Sequence, residues 1–170
     1  ECEISCTSSN AVKVVASLPN KQIIFVPDQN LASFVAAKLP EKEFVPFTGF
    51  CPTHHKIATE EVLAAKRQYP DAPVLVHPEC TADVVALSDF AGSTKQIIDY
   101  ALQSDKKEFI IGTEKGVIDY LKDKEPNKNY YLMSHRLICV NMKKTQLSDV
   151  LSVLENESNE IKMSDEEIQA

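Results

Sequence analysis

The stretch Gln22-Ile23-Ile24-Phe25-Val26-Pro27-Asp28-Gln29-Asn30-Leu31 decides the fold. Its apolar run from Gln22 to Val26 has the length of a buried strand, Pro27-Asp28 closes that run, and a helix is expected from about Asn30. A strand that passes directly into a helix is half of a βαβ unit, so the question is whether the pattern recurs. It does. Val74 to His77 precedes a helix starting near Thr81, and Phe109 to Gly112 precedes a helix through Val117 and Leu121. Such alternation predicts an α/β fold of parallel sheets covered by helices. Thr59-Glu60-Glu61 and Ser164-Asp165-Glu166-Glu167 read as further helix starts, the second with capping-box spacing.

The opening stretch also has a copy. An offset of 86 residues lays Ile24-Phe25-Val26-Pro27-Asp28 on Ile110-Ile111-Gly112-Thr113-Glu114, and Thr7-Ser8 on Ser93-Thr94. With an offset of 88, Cys51 falls on Cys139 and Glu61-Val62-Leu63 on Asp149-Val150-Leu151. A register held over most of the chain marks an internal repeat. It divides the chain into a partial α/β unit at about 1–70, a second α/β unit at about 71–155, and a tail at 156–170 containing the start of a helix. Two cysteines at equivalent places in repeated units can face one shared centre. By the same period a third equivalent cysteine is expected upstream of Glu1.

Composition narrows the function classes. A hydrophobic content of 44% over 170 residues suffices for a globular core. The net charge of −7, with lysines dispersed among carboxylates, leaves no basic stripe for nucleic acid. No apolar run approaches the roughly 20 residues that span a bilayer, so a cytoplasmic location is expected. The five cysteines are odd in number and irregular in spacing, which argues for thiols over a disulfide framework. None forms a Cys-x-x-Cys pair, so any metal site must be assembled from distant loops.

The loops after the strands carry the candidate chemistry. His77-Pro78-Glu79-Cys80 follows Val74-Leu75-Val76, placing an imidazole and a carboxylate together at a strand end, as acid–base chemistry requires, or as a structural histidine and a helix-capping glutamate would. Cys80 reads as packing. Cys51-Pro52-Thr53-His54-His55 joins a thiol to two imidazoles and suits a metal site or a substrate clamp. Ser93-Thr94 after Gly92 offers hydroxyls at a helix start, fit for an anion or simply for capping, and Thr7-Ser8 repeats it.

Taken together, Cys6-Thr7-Ser8-Ser9-Asn10-Ala11-Val12, Pro27-Asp28-Gln29-Asn30-Leu31, Gly49-Phe50-Cys51-Pro52-Thr53-His54, His77-Pro78-Glu79-Cys80, Gly92-Ser93-Thr94, Gly112-Thr113-Glu114 and Cys139-Val140-Asn141-Met142-Lys143 resemble quinolinate synthase. That resemblance implies repeated three-layer α/β units with pseudo-threefold symmetry in the complete fold. Each unit would give one cysteine to a [4Fe-4S] cluster whose open iron acts as a Lewis acid. It implies condensation of iminoaspartate with dihydroxyacetone phosphate to quinolinate in NAD biosynthesis, with an aspartate oxidase as supplier of iminoaspartate. By the same resemblance, Cys51 and Cys139 are metal ligands, His77 and Glu79 are catalytic and contact substrate, and Ser8, His54, Ser93 and Thr94 bind substrate. The first unit and the third cysteine would precede Glu1, which makes 1–70 the partial second unit and 71–155 the third, so the chain is expected to be an incomplete fragment. The competing expectations are a non-catalytic α/β module that binds a small anion, and a zinc-bound structural domain.

Overall fold

The structure, a computed structural model, describes residues 2–169. Helix α1 (Ala11–Ser17) precedes strand β1 (Gln22–Phe25), helix α2 (Gln29–Lys38) and strand β2 (Glu43–Pro46). Helices α3 (Pro52–His55) and α4 (Thr59–Gln68) then lead to β3 (Val74–Val76), α5 (Ala82–Leu87) and β4 (Phe90–Ala91). The chain continues through α6 (Thr94–Gln103), β5 (Glu108–Gly112), α7 (Gly116–Lys124), β6 (Asn129–Leu132), α8 (Leu147–Asn156) and α9 (Asp165–Gln169). Strands β1 and β2 form one parallel sheet, and a second, also parallel, runs in the order β4-β3-β5-β6. Residues Cys6–Ile138, with both sheets, make one compact unit. Residues 2–5 and those from Cys139 onward belong to another, in which α8 exposes Leu147, Leu151 and Leu154.

Helix starts are set locally. Asp28 caps α2 by accepting from Leu31 N at 2.8 Å. Ser93 caps α6, where Ser93 Oγ accepts from Gln96 N and Gln96 Oε1 accepts from Ser93 N. At α4 the cap position is Ala58, one residue before Thr59, and its N–H donates to the Glu61 carboxylate at 2.9 Å. Ser164 and Glu167 exchange hydrogen bonds in the capping-box manner expected from their spacing.

The second sheet is the middle of three layers. Ile110 points towards α4 and α5, joining Val62, Ala65, Val74, Val76 and Val84. Phe109 and Ile111, one residue either side, point the opposite way and meet α6 and α7 through Ile97, Ala101, Ile118 and Leu121. Both faces being covered, Val74, Leu75 and Val76 are fully buried, each contributing about 1.5–3 kcal/mol of apolar transfer.

The repeat is visible element by element. The 86-residue offset carries β2 onto β6 with identical bounds, and the 88-residue offset does the same for α4 and α8. Lysines recur with it. Lys42 Nζ donates to Leu18 O and Asn20 O after α1, and Lys128 Nζ, 86 residues on, donates to Ala101 O, Leu102 O and Ser104 O at the end of α6. Burial breaks the symmetry. Ile23 and Phe25 pack under α1 and α2, but Ile24 is 78% exposed while its repeat partner Ile110 is fully buried. The face covered by α4 and α5 in the second sheet has no counterpart cover in the first, among the described residues.

Candidate functional site

Within each parallel sheet the strands end at one edge, and hydrogen bonds between the loops after β1, β2, β3 and β5 join the edges of the two sheets although these loops are far apart in sequence. Beyond β2 the chain extends through Gly49 to Cys51, which occupies the N-cap position of the short helix α3. That single turn points His54 into the protein, where it is 8% exposed, and leaves His55 half-buried against Phe50 at a ring separation of 4.1 Å. Beyond β3, the His77–Cys80 turn closes with Cys80 N donating to His77 O. This turn sets Glu79 against His54. Beyond β5, Thr113 is buried and meets the same imidazole from the other side.

His54 is therefore held at both ring nitrogens. Nδ1 lies 3.0 Å from Glu79 Oε2 and Nε2 lies 3.1 Å from Thr113 Oγ1. His77 stacks on it at 4.4 Å, the rings within 15° of parallel. One ligand atom each from Cys51, His54 and Glu79 lies within 4.8 Å of the others. Asn30, at the start of α2, donates to Glu79 O and meets His55 Nδ1, each at 2.9 Å. Asp28 Oδ2 accepts from Cys51 N at 2.7 Å.

The electrostatics differentiate the two stacked imidazoles. Burial disfavours the cation at His54, but hydrogen bonds to Cys51 and Glu79 outweigh it and raise the pKa to about 9. His77 is lowered to about 4, by burial first and then by the His54 cation beneath it. Its neutral ring accepts Glu79 N–H at Nδ1, at 3.3 Å, which leaves the proton on Nε2. The 3.5 Å approach of His77 Nδ1 to Glu79 Oε2 is then a contact between two acceptors and not an ion pair. Glu79 is lowered chiefly by the His54 hydrogen bond. At neutral pH the site holds an imidazolium, a neutral imidazole and a carboxylate side by side, so a proton donor and a proton acceptor are both present.

Cys80 is 1% exposed and burial pushes its thiol up to about 12, so it packs as a small hydrophobe. Cys51 is half-buried at a helix start, beside two other ligating groups. The donor chemistry suits a metal: thiolate sulfur, imidazole nitrogen and carboxylate oxygen are the usual ligands of zinc, and thiolates those of iron–sulfur clusters. The residues from Gly112 to Glu114, Asp28 and Asn30 lay in quoted motifs, but only their proximity to Cys51, His54 and Glu79 singles out Thr113, Asp28 and Asn30.

The structure does not join the other expected residues to this cluster. Among the described residues, no hydrogen bond links Ser8, Ser93 or Thr94 to His54, His77 or Glu79. Ser93 is buried and caps α6, Thr94 is exposed, and Ser8 is half-buried before α1. Cys139 lies in the unit that also holds α8.

Comparison with known proteins bears on the whole chain. The family described as "Quinolinate synthetase A protein" (NadA) matches residues 1–170. The chain belongs to this family. It is 55% identical over 161 residues to the quinolinate synthase of Alkaliphilus metalliredigens, covering 95% of this chain and 53% of that protein. The quinolinate synthase of Caldicellulosiruptor saccharolyticus is 52% identical over 163 residues, covering 96% and 54%. That of Sulfurihydrogenibium sp. is 50% identical over 172 residues, covering 98% and 56%. The chain thus spans about half the length of these family members. No helix among the described residues is long and apolar enough to cross a membrane.

Proposed function

We propose that this chain forms part of a cytoplasmic quinolinate synthase, a transferase that condenses iminoaspartate with dihydroxyacetone phosphate in NAD biosynthesis. In this reading Cys51 and Cys139 are two thiolate ligands of a [4Fe-4S] cluster and the third comes from another part of the protein. The complete fold then repeats the three-layer unit about a pseudo-threefold axis. The observation that carries the reading is the convergence of Cys51, His54 and Glu79 within 4.8 Å, with His77 stacked on His54. When bound, the cluster supplies a Lewis-acidic iron that accepts hydroxyl and carboxylate oxygens.

The chain's own residues do the rest. His54, cationic and buried, lends positive charge to the site and can pass the proton held at Nδ1 to Glu79. Glu79 is ionised and accepts a proton at a carboxylate oxygen, and His77 donates a hydrogen bond from Nε2 while staying neutral. Thr113 fixes the His54 ring plane, so that Nδ1 faces the Glu79 carboxylate. Ser8, Ser93 and Thr94 supply hydroxyl donors for substrate carboxylates from helix starts.

A second reading is favoured by the same trio: a single divalent cation such as zinc, held by Cys51, His54 and Glu79. The two are separated in a chain extended to the length of its relatives, by visible absorption and by iron, sulfide and zinc content after anaerobic reconstitution. Cys51→Ser and Cys139→Ser should each lose the brown chromophore and Cys80→Ser should keep it. Full iron loading of Cys139→Ser, or a colourless protein with stoichiometric zinc, would overturn the cluster assignment.

A further inference from the structure

We infer that Asp28 is the positioning residue for Cys51, a role that rests on the reading of Cys51 as a metal ligand. The parallel ladder of β1 and β2 continues past the strands: Phe47 N donates to Phe25 O at 3.0 Å, and Gln29 N donates to Gly49 O at 2.8 Å. The two loops are tightly apposed here. A Cβ on Gly49 would sit 2.5 Å from Pro27 O, so only glycine fits. Two residues further on, Cys51 N points in the same direction, but by then the other chain has turned into α2 and its carbonyls are committed to the helix. Ala32 N, for example, already takes Asp28 O. The ladder has no backbone acceptor left for the cysteine.

The side chain of Asp28 takes over. Its Oδ1 accepts from Leu31 N at 2.8 Å and caps α2, while its Oδ2 accepts from Cys51 N at 2.7 Å. The residue is 5% exposed, and among the described residues no ion pair engages it. A carboxylate is suited to this place because it offers two acceptors and no donor, and here each oxygen has its own N–H. Helix capping alone does not account for it, since a hydroxyl or an amide caps equally well with one oxygen. The second oxygen serves only Cys51, and through it the carboxylate sets where the thiol stands relative to His54 and Glu79.

The ladder extension is built twice. Met133 N donates to Ile111 O and Lys115 N to Leu137 O, the repeat equivalents of the two bonds above. An acid recurs at the place of Asp28 as well, Glu114, 86 residues on, and it is also buried.

Because the two oxygens have separate tasks, substitutions separate them. Asp28→Asn keeps one oxygen for Leu31 N and turns an amide donor towards Cys51 N, so the cap survives and the anchor becomes a clash of donors. Asp28→Ser keeps a capping hydroxyl and has nothing to reach Cys51. Asp28→Ala loses both. The rate of Cys51 alkylation by iodoacetamide, read by peptide mass spectrometry with Cys80 as the buried reference, reports the anchor without any metal. Melting temperature reports the cap. Iron and sulfide per chain, in the protein extended to the length of its relatives, report the ligand geometry.

The expected result is a roughly tenfold faster alkylation of Cys51 in both Asn and Ser variants, the factor that corresponds to loss of one hydrogen bond to a charged acceptor. Iron content should fall in step, and melting should drop modestly in Asp28→Asn and Asp28→Ser for the one lost bond and further in Asp28→Ala, which loses the cap as well. Unchanged Cys51 alkylation together with parental iron content in Asp28→Asn and Asp28→Ser would overturn the inference and leave Asp28 a helix cap. If the parent itself binds no iron, the cluster reading fails separately, and the alkylation rates still decide whether Asp28 anchors Cys51.

Discussion

Glu79→Gln tests the electrostatic coupling on which the site depends. The replacement preserves shape and removes the charge that lies 3.0 Å from His54 Nδ1. In the parent chain His54 is raised from 6.5 to about 9, against its own burial, by Cys51 and Glu79 acting together. An opposite charge in hydrogen-bond contact is worth about 1–3 pKa units, so the His54 midpoint in the variant should fall by at least ~1 unit, the Cys51 contribution being retained. The sign of the stability effect follows. A histidine whose folded pKa lies above its unfolded one stabilises the fold fully below pH about 6.5, and this stabilisation is lost as pH rises through about 9. A shift from 6.5 to about 9 corresponds to about 3 kcal/mol, of which the variant should forfeit about 1–2 kcal/mol near neutral pH. The gap between parent and variant should then close towards about pH 10, where neither form holds the proton. The assay is urea unfolding of the metal-free chain across this range, with histidine ring resonances followed by NMR. A His54 midpoint still near 9 in Glu79→Gln, or a stability gap of equal size at both ends of the pH range, would refute the coupling.

His77 should produce the opposite limb. Its folded pKa is depressed from 6.5 to about 4, so the unfolded chain takes up a proton that the folded chain refuses, and stability should fall as pH drops through that interval. His77→Gln should flatten this part of the profile, and an unchanged slope would count against a buried neutral ring. Lys128→Met should cost about 2–3 kcal/mol in urea unfolding, because it strips a buried cation from three carbonyls at the end of α6. A loss below about 0.5 kcal/mol, the scale of an ordinary surface change, would show that those carbonyls find water instead.

Strands β1, β3 and β5 were legible in the sequence because each is a short apolar run that passes within a few residues into a helix. The repeat was legible because it is a matter of offset alone. The short strands β2, β4 and β6 were not, since two to four residues carry too little periodicity to separate them from loop. His77, Glu79 and Cys51 could be singled out because each follows an apolar strand or a glycine turn in a parallel fold, where strand ends collect ligands.

What only the tertiary structure decided is which neighbours these residues meet. His54 and His55 are adjacent on one helical turn and differ by about 100° in direction, so helical periodicity does not say which enters the site, and only the family resemblance named His54. Its partners Glu79 and Thr113, 25 and 59 residues away, are visible only in the structure. Asp28 reads from sequence as a cap, and its second oxygen acquires a purpose only because Cys51 arrives beside it. Ile24 and Ile110 occupy the same place in the repeat, yet one is exposed and the other buried. The sequence by itself determined the pattern of the repeat through local periodicity. Burial and proton affinity depend on what packs from elsewhere in the chain, which three-dimensional folding alone brings within reach.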